Sequence, residues 1–274
     1  MSIESLFSEI PNLPNIPKVI QQLLELFNGR DSSATDISKN IQMDQVLSAK
    51  ILRLANSARY GTGRRISSID SAVILLGTDV LKTMVIASGV VGAFKDVEEF
   101  DKKLFWRDSF MVASICKLIA KHTMSDPETA FTCGIMHNIG ELLIHIAHPE
   151  NAHKIDQLVE AGANRCDLQD NQFSYNYTQA GAELARRWNF PDEIIKALRQ
   201  QASPGEFEPC SPYAIMIYLA NYLNDAFKTN TAPEEVLAHF PSDITRPLAI
   251  NLVSFFESVI ELTKAEDDIE AILA

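Results

Sequence analysis

Apolar residues recur every three to four positions along most of the chain, the spacing that places them on one face of an α-helix. The first such segment, IPKVIQQLLELFNG, ends at Gly29, and glycine is a common helix terminator. Six apolar side chains share one stripe in this segment: Ile16, Val19, Ile20, Leu23, Leu24 and Phe27. The pattern therefore predicts an amphipathic helix that packs one face against the rest of the protein.

Capping residues predict where further helices begin and end. Ser33, Asp44 and Thr78 are predicted N-caps, whereas Gly61 and Gly77 are predicted terminators. Prolines stand near five later helix starts, where a missing N–H costs nothing: Pro127, Pro149, Pro191, Pro212 and Pro233. Alternating strand patterns and Asn-Gly hairpin turns are absent from the sequence. The sequence thus predicts an all-α fold of about a dozen helices.

Two stretches of the 274-residue chain break the helical pattern and suggest its organisation. A charged connector lies at residues 95–101, and residues 201–212 are rich in proline, glycine and serine. We place an N-terminal helical subdomain at residues 1–95 and a second helical subdomain, with the C-terminal helices, at residues 96–274. Neither break is long enough to act as a free linker.

Charge and hydropathy limit the classes of partner. The net charge of −12 disfavours general binding to nucleic-acid backbones, and the one local basic cluster spans Arg59 to Arg65. The N-terminus lacks a secretory signal, and no apolar run approaches the about 20 residues that span a bilayer. We therefore expect a cytoplasmic protein without a membrane partner. The four cysteines form no metal motif, and Cys116 and Cys133 are expected to be buried thiols.

The segment GIMHNIGELLIHIAHPE, residues 134–150, holds half of the six histidines. On a single helix, His137, Glu141 and His148 would lie within roughly 40° of one another. Imidazoles and carboxylates that converge in this way can bind a divalent metal. However, the spacing is not that of His-Glu-x-x-His, and a polar helix end with His145 and His148 near its C-terminus is the simpler interpretation.

Several segments in order resemble the HDOD family, a group of bacterial output modules related to the HD metal-dependent phosphohydrolases. The resemblance spans residues 13–201, and its most specific part is LRLANSARYG followed by ISSIDSAVILLG. FWRDS and FTCGIMHNIGELLI follow in the expected order. The resemblance implies a multi-helical bundle like the HD domain. It also marks a family-signature surface at Asn56, Ser57, Tyr60, Gly61 and Trp106, although periodicity alone places Trp106 in the core.

HD phosphohydrolases hold metal with histidines, a His-Asp pair and a distant aspartate. The resemblance places six positions of this chain at the corresponding site: Asp108, His137, Asn138, Tyr177, Gln200 (beside Gln201) and Asn221. Only one of these positions carries an imidazole, and Asn138 stands where the ligating aspartate is expected. Amides and a phenol are poor ligands for transition metals, so the resemblance implies a degenerate metal site.

The leading interpretation is a non-catalytic bacterial HDOD signalling module that contacts a protein partner or binds a small ligand in the vestigial cleft. No cofactor is expected, and weak binding of a divalent metal is left open as an alternative. Because no receiver, GGDEF or EAL signature is present, we expect the input to come from a separate protein or a ligand. The alternative is a divergent metal-dependent phosphohydrolase that uses His137, Asp108 and Asp225, with Glu141 nearby. A third possibility is nucleotide binding without turnover through Arg53, Arg59, Arg64 and Arg65, although solvated arginines are the favoured interpretation.

Overall fold

The computed structural model describes residues 2–10, 18–28, 33–57, 60, 65–94, 100–251 and 255–259. Every regular element in these ranges is helical, which confirms the predicted all-α, multi-helical fold. The α-helices are α1 (Ile3–Glu9), α2 (Lys18–Asn28), α3 (Ala34–Gln42), α4 (Gln45–Ala55), α5 (Ile69–Ala93), α6 (Lys102–Lys121), α7 (Pro127–Met136), α8 (Ile139–Ala147), α9 (Pro149–Glu160), α10 (Arg165–Phe173), α11 (Tyr177–Arg187), α12 (Asp192–Gln200), α13 (Pro212–Lys228), α14 (Pro233–Ala238) and α15 (Ser242–Thr245). Short 3-10 turns span Pro204–Glu206 and Arg246–Leu248.

The described residues pack as two compact units. One lies within Met1–Leu13 and Asp96–Phe256, and the other lies within Pro14–Lys95 and Glu257–Ala274. Helix α1 thus packs with the later part of the chain, where it contacts α8. The predicted subdomains at residues 1–95 and 96–274 stay a prediction.

Helices α2 to α5 form the smaller unit. Ser33 and Asp44 accept hydrogen bonds from the first-turn N–H groups of α3 and α4, which confirms both predicted N-caps. The predicted break at Gly77 is also present, because this residue adopts a positive φ of 74° inside α5. Among the described helices, none is by itself long and apolar enough to cross a membrane. The two segments of α5 on either side of this break are bent by 104°. Taken together they are long and apolar enough to cross a membrane, by length and composition only.

Two glycines bring helices of the larger unit into backbone contact. A methyl group at Gly134 of α7 would overlap the backbone of Ala113 in α6, and one at Gly140 of α8 would overlap the carbonyl of Tyr177 in α11. Both positions therefore require a residue without a Cβ atom. These contacts fix α7 on α6 and α8 on α11, and they fix the direction of the chain between α7 and α8.

The interpretation of residues 134–150 as a single helix is wrong. Helix α7 ends at Met136, His137 is its C-cap, and Asn138 opens α8 with φ −110° and ψ 15°. Because α7 packs on α6 and α8 packs on α11, the chain changes direction at these two residues. The predicted stripe of His137, Glu141 and His148 on one helix face therefore does not form.

Gly140→Ala is expected to lower the free energy of unfolding by about 1 to 3 kcal/mol, the usual cost of overpacking a well-filled contact. The added methyl group would overlap backbone atoms of α11, which cannot rotate away as a side chain can. Urea denaturation of the purified variant measures this loss.

Gly92→Ala is the matched control, because a methyl group at this exposed position of α5 meets no atom within 4 Å. Alanine should stabilise the helix here by up to about 1 kcal/mol. Equal stability of the two variants would show that the contact at Gly140 is not tight.

Candidate functional site

A cavity of about 590 Å³ lies in the larger unit, within the size range of small-molecule sites. The α7–α8 junction, α10, α11 and α13 supply parts of its wall. Five of the positions predicted from the sequence line it together: His137, Asn138, Tyr177, Asn221 and Asp225. The structure thus brings into one cavity residues that lie up to 88 positions apart in the chain.

Gln201, and not Gln200, lines this cavity. The Gln200 side chain accepts a hydrogen bond of 2.7 Å from the backbone N–H of Ser211 and so holds the segment that leads into α13. Gln201 donates from Nε2 to the carbonyl oxygens of His137, at 2.6 Å, and Leu198, at 3.0 Å. Consecutive residues at a helix end point about 100° apart, so only one of the two glutamines can face the cavity.

His137 is a neutral imidazole with one uncommitted nitrogen. Its Nδ1–H donates to the carbonyl oxygen of Gly134 at 2.7 Å, which leaves a lone pair on Nε2. Burial lowers the pKa of His137 to about 4, and the nearby ammonium group of Lys228 contributes to the shift. The ring therefore acts as a hydrogen-bond acceptor or a potential metal ligand at neutral pH.

Asn138 and Tyr177 add polar but uncharged groups beside His137. Asn138 Oδ1 accepts a hydrogen bond from Ser109 Oγ at 3.0 Å, the same bond that a carboxylate would accept at this position. Burial raises the pKa of the Tyr177 phenol well above its usual value, so its hydroxyl stays protonated. Neither side chain supplies the anionic oxygen that a divalent metal favours.

The two aspartates proposed as residual metal ligands are associated with a lysine. Lys228 Nζ lies 2.6 Å from Asp108 Oδ2 and 4.0 Å from Asp225 Oδ1. Asp225 lines the cavity, whereas Asp108 does not. The ammonium group of Lys228 thus neutralises the carboxylate of Asp108. A metal ion could use this carboxylate as a ligand only by breaking the ion pair.

Glu141 is a buried carboxylate whose two oxygens both accept hydrogen bonds from protein groups. Its Oε2 lies 2.9 Å from Arg165 Nη1, and both carboxylate oxygens accept from Gln169 Nε2 at 3.1 Å. The same Arg165 nitrogen lies 2.6 Å from Asp156 Oδ1. Burial raises the pKa of Glu141 despite the opposing effect of Arg165 and Gln169.

His145 extends this network on the next turn of α8. Its Nδ1 contacts the carbonyl oxygen of Glu141 and its Nε2 contacts Asp156 Oδ2, both at 2.8 Å. Both ring nitrogens thus face acceptors, an arrangement that suits the imidazolium form. Burial lowers the pKa of His145, but the hydrogen bonds to Asp156 and to the Glu141 carbonyl, with the two carboxylate charges, outweigh it and raise the pKa overall.

Sequence reasoning missed Arg165, Asp156 and Gln169, which lie on α9 and α10 and contact residues of α8. No spacing in the sequence could indicate this network, because the packing of three helices creates it. His148, by contrast, does not line the cavity. Its ring stacks on Phe173 at 4.9 Å, and its Nε2 lies 3.0 Å from the hydroxyl of Tyr175.

The donor set of the cavity does not fit a divalent metal. Within the described parts of the chain, no three His, Cys, Asp or Glu side chains converge so that they could hold a metal ion. The set of His137, Asp108 and Asp225, proposed from the resemblance, is thus not such a group.

The two predicted buried thiols, Cys116 and Cys133, are fully buried, and burial raises the pKa of both.

The predicted family-signature surface has a structural role at Asn56. Its amide donates to the carbonyl of Ile66 and accepts from the N–H of Ile66, each at 2.8 Å, and so clamps the loop after α4. Trp106 is 1% exposed, so its assignment to this surface is wrong: it lies on the buried face of α6 and packs edge-on against Phe105. Ser57 and Tyr60 are half-buried.

The predicted arginine cluster is only partly described. Arg53 and Arg65 are exposed, in agreement with solvated arginines, whereas Arg59, Arg64 and Gly61 lie outside the described residues. The described cavity and these two arginines belong to different compact units.

Comparison with known proteins identifies a family and similar structures. The family model described as "HDOD domain" matches residues 13–204. The crystal structure of a protein from Shewanella amazonensis SB2B named "Putative phosphohydrolase" is 36% identical, with a TM-score of 0.84 and 98% of each chain covered. An HDOD domain protein with unknown function from Geobacter sulfurreducens is 23% identical, with a TM-score of 0.81 and coverage of 97% and 96%.

A curated relative is longer than this chain. An uncharacterised protein of Treponema pallidum (strain Nichols) is 25% identical over 265 residues, which is 93% of this chain. The chain spans 52% of the length of that protein. The likeness therefore concerns about half of the longer relative.

Arg165→Met is expected to lower the free energy of unfolding by about 2 to 3 kcal/mol, because it leaves the buried carboxylate of Glu141 without its cation. This is less than the loss typical of fully buried ion pairs, since Arg165 is partly exposed. The double variant Arg165→Met/Glu141→Gln should recover most of the lost free energy of unfolding, because the buried carboxylate is then absent. Arg186→Met, at an exposed pair with Glu183, is the control and should change stability far less, and equal losses in the two arginine variants would contradict the expectation.

His137 should make stability depend on pH between about 6.5 and 4. Its pKa is about 4 in the folded protein and near 6.5 in the unfolded chain, so the unfolded state takes up the proton first as the pH falls. Stability should therefore be complete above pH 6.5 and fall below it, by at most about 1.4 kcal/mol per pH unit from this group. Urea unfolding at several pH values should show a shallower fall in His137→Gln than in the exposed control His153→Gln, and parallel curves would refute the assignment.

Proposed function

Because the chain belongs to the HDOD domain family, we propose that it is a non-catalytic regulatory module of a bacterial cytoplasm. It acts in signalling by binding a small ligand in the cavity around His137 and by contacting a protein partner. It does not hydrolyse phosphate esters. The observation that carries the proposal is that nearly every charged group at the cavity is already paired with another protein group.

Hydrolysis of a phosphate ester on this fold would need a metal ion to activate water. His137 is the one imidazole with an available lone pair among the predicted site residues, and its neighbours offer amides and a phenol. Glu141 could supply charge, but Arg165 and Gln169 hold both of its oxygens. The groups present favour hydrogen bonding to a ligand over coordination of a metal.

A ligand in the cavity would connect several helices. The wall includes the α7–α8 junction at His137 and Asn138, the start of α10 at Arg165, the start of α11 at Tyr177 and the middle of α13 at Asn221. A ligand that binds these groups more tightly in one arrangement of the helices shifts the population toward that arrangement. Such a shift can change the surface that the partner protein recognises.

The alternative function is a divergent metal-dependent phosphohydrolase, which the name of the 36% identical Shewanella protein suggests for that relative. The two functions differ in a direct measurement. We expect the purified, metal-depleted protein to release no p-nitrophenol from bis(p-nitrophenyl) phosphate when Mg²⁺ or Mn²⁺ is added.

His137→Ala is the diagnostic variant for this assay, and His153→Ala at an exposed position of α9 is its control. If metal-dependent release is present in the wild type and in His153→Ala but is lost in His137→Ala, the protein is a phosphohydrolase and the proposal fails. Equal background release from all three proteins supports a non-catalytic cavity.

A further inference from the structure

We infer that the cavity around His137 binds a small organic cation that carries N–H donors, with a guanidinium group as the best match. This inference rests on the proposed function, because it names the class of ligand that the cavity takes. It follows from the acceptors that the cavity leaves unused and from the balance of charge on its wall.

Two fixed acceptors of the wall have no donor. His137 Nε2 keeps its lone pair because Nδ1–H is bonded to the Gly134 carbonyl. The carboxamide oxygen of Gln201 is buried and has no hydrogen-bond partner, and the side chain is only 2% exposed. A buried acceptor without a partner is costly, so an occupant that donates to it is favoured.

The side chain of Gln201 is anchored to the backbone of His137, and both residues line the same cavity. Gln201 Nε2 donates to the carbonyl of His137 itself and to that of Leu198, so the orientation of the carboxamide is determined. Its oxygen is therefore the free end, and a rotation of the amide would break both bonds. A ligand with two or more N–H groups can satisfy Gln201 and His137 together.

The charge of the wall favours a cation over an anion. The cavity wall includes three carboxylates, those of Glu141, Asp156 and Asp225. It also includes the guanidinium group of Arg165. That guanidinium contacts two carboxylates, and His145 contacts one of them. A phosphate group would therefore have to compete with a carboxylate for each positive group of the described wall, where three carboxylates face Arg165 and His145. The ammonium group of Lys228, near His137, does not line the cavity and is paired with Asp108.

The remaining wall suits a weakly hydrated cation. Phe100, Phe105 and Tyr218 line the same cavity, and aromatic rings attract organic cations near their faces. A guanidinium group is planar, carries five N–H donors and is less strongly hydrated than an ammonium group. A divalent metal would lose a tight water shell and gain one imidazole, one amide oxygen and the exposed carboxylate of Asp225.

Isothermal titration calorimetry of the full, metal-depleted chain tests this inference with four probes. Methylguanidine and agmatine carry cationic N–H donors, tetramethylammonium carries the same charge without donors, and inorganic phosphate is an anion. We expect the two guanidinium probes to bind with a Kd of about 1 mM or less. Binding should therefore approach saturation at a probe concentration of about 10 mM. Tetramethylammonium should bind at least about tenfold more weakly, because it cannot satisfy the acceptors.

Three substitutions assign the site. His137→Phe and Gln201→Met should each weaken the binding of methylguanidine by about tenfold or more, because each removes an acceptor for a charged donor. Asp225→Asn changes an exposed side chain, and it should weaken the binding of methylguanidine by about threefold. Asp243→Asn, also exposed but in α15 and absent from the cavity wall, is the matched control and should have no effect.

The inference is overturned if neither guanidinium probe binds, if tetramethylammonium or phosphate binds as tightly, or if Asp225→Asn and Asp243→Asn behave alike. These outcomes are separate from failure of the proposed function, which shows as metal-dependent hydrolysis. Absence of both binding and hydrolysis overturns the inference alone. Binding without hydrolysis supports both.

Discussion

The backbone contact between α8 and α11 determines where the central residues of the cavity lie. Gly140 touches the carbonyl of Tyr177, and this approach leaves no space for a Cβ atom. Because α7 is held on α6 by an equally close contact at Gly134, the chain must change direction between the two helices. His137 and Asn138 occupy that change of direction, and so they face the cavity instead of continuing a helix face.

The same arrangement explains the distribution of charge. Residues of α8 lie against α9 and α10, where Arg165 and Gln169 meet the buried Glu141 and where Asp156 meets His145. Each buried charge therefore has a partner of opposite sign or a hydrogen-bond donor, which removes most of the cost of its burial. Apart from the exposed carboxylate of Asp225, what remains open at the cavity is uncharged: one imidazole nitrogen, one carboxamide oxygen and several amide and hydroxyl groups.

Local signals in the sequence predicted much of the fold. The caps at Ser33 and Asp44, the break at Gly77 and four prolines at the first position of a helix all act within one turn of the chain, so they are visible in sequence. The split between α7 and α8 was missed because its cause is contact with other helices. The choice of Gln201 over Gln200 and the network at Arg165 also depend on tertiary packing, and the resemblance supplied only their approximate location.

The environment of Asn138 also bears on how such a cavity changes over evolutionary time. An aspartate has the same shape as asparagine and could accept the same bond from Ser109, so packing at this position does not oppose a carboxylate. The surroundings instead disfavour a metal ion, because the ammonium group of Lys228 is joined to Asp108 and the carboxamide of Gln201 supports two backbone carbonyls. A histidine in place of Gln201 would leave those carbonyls without their donor. Because a metal site needs several ligands together with the residues that orient them, a single substitution at Asn138 would not by itself create one in this cavity.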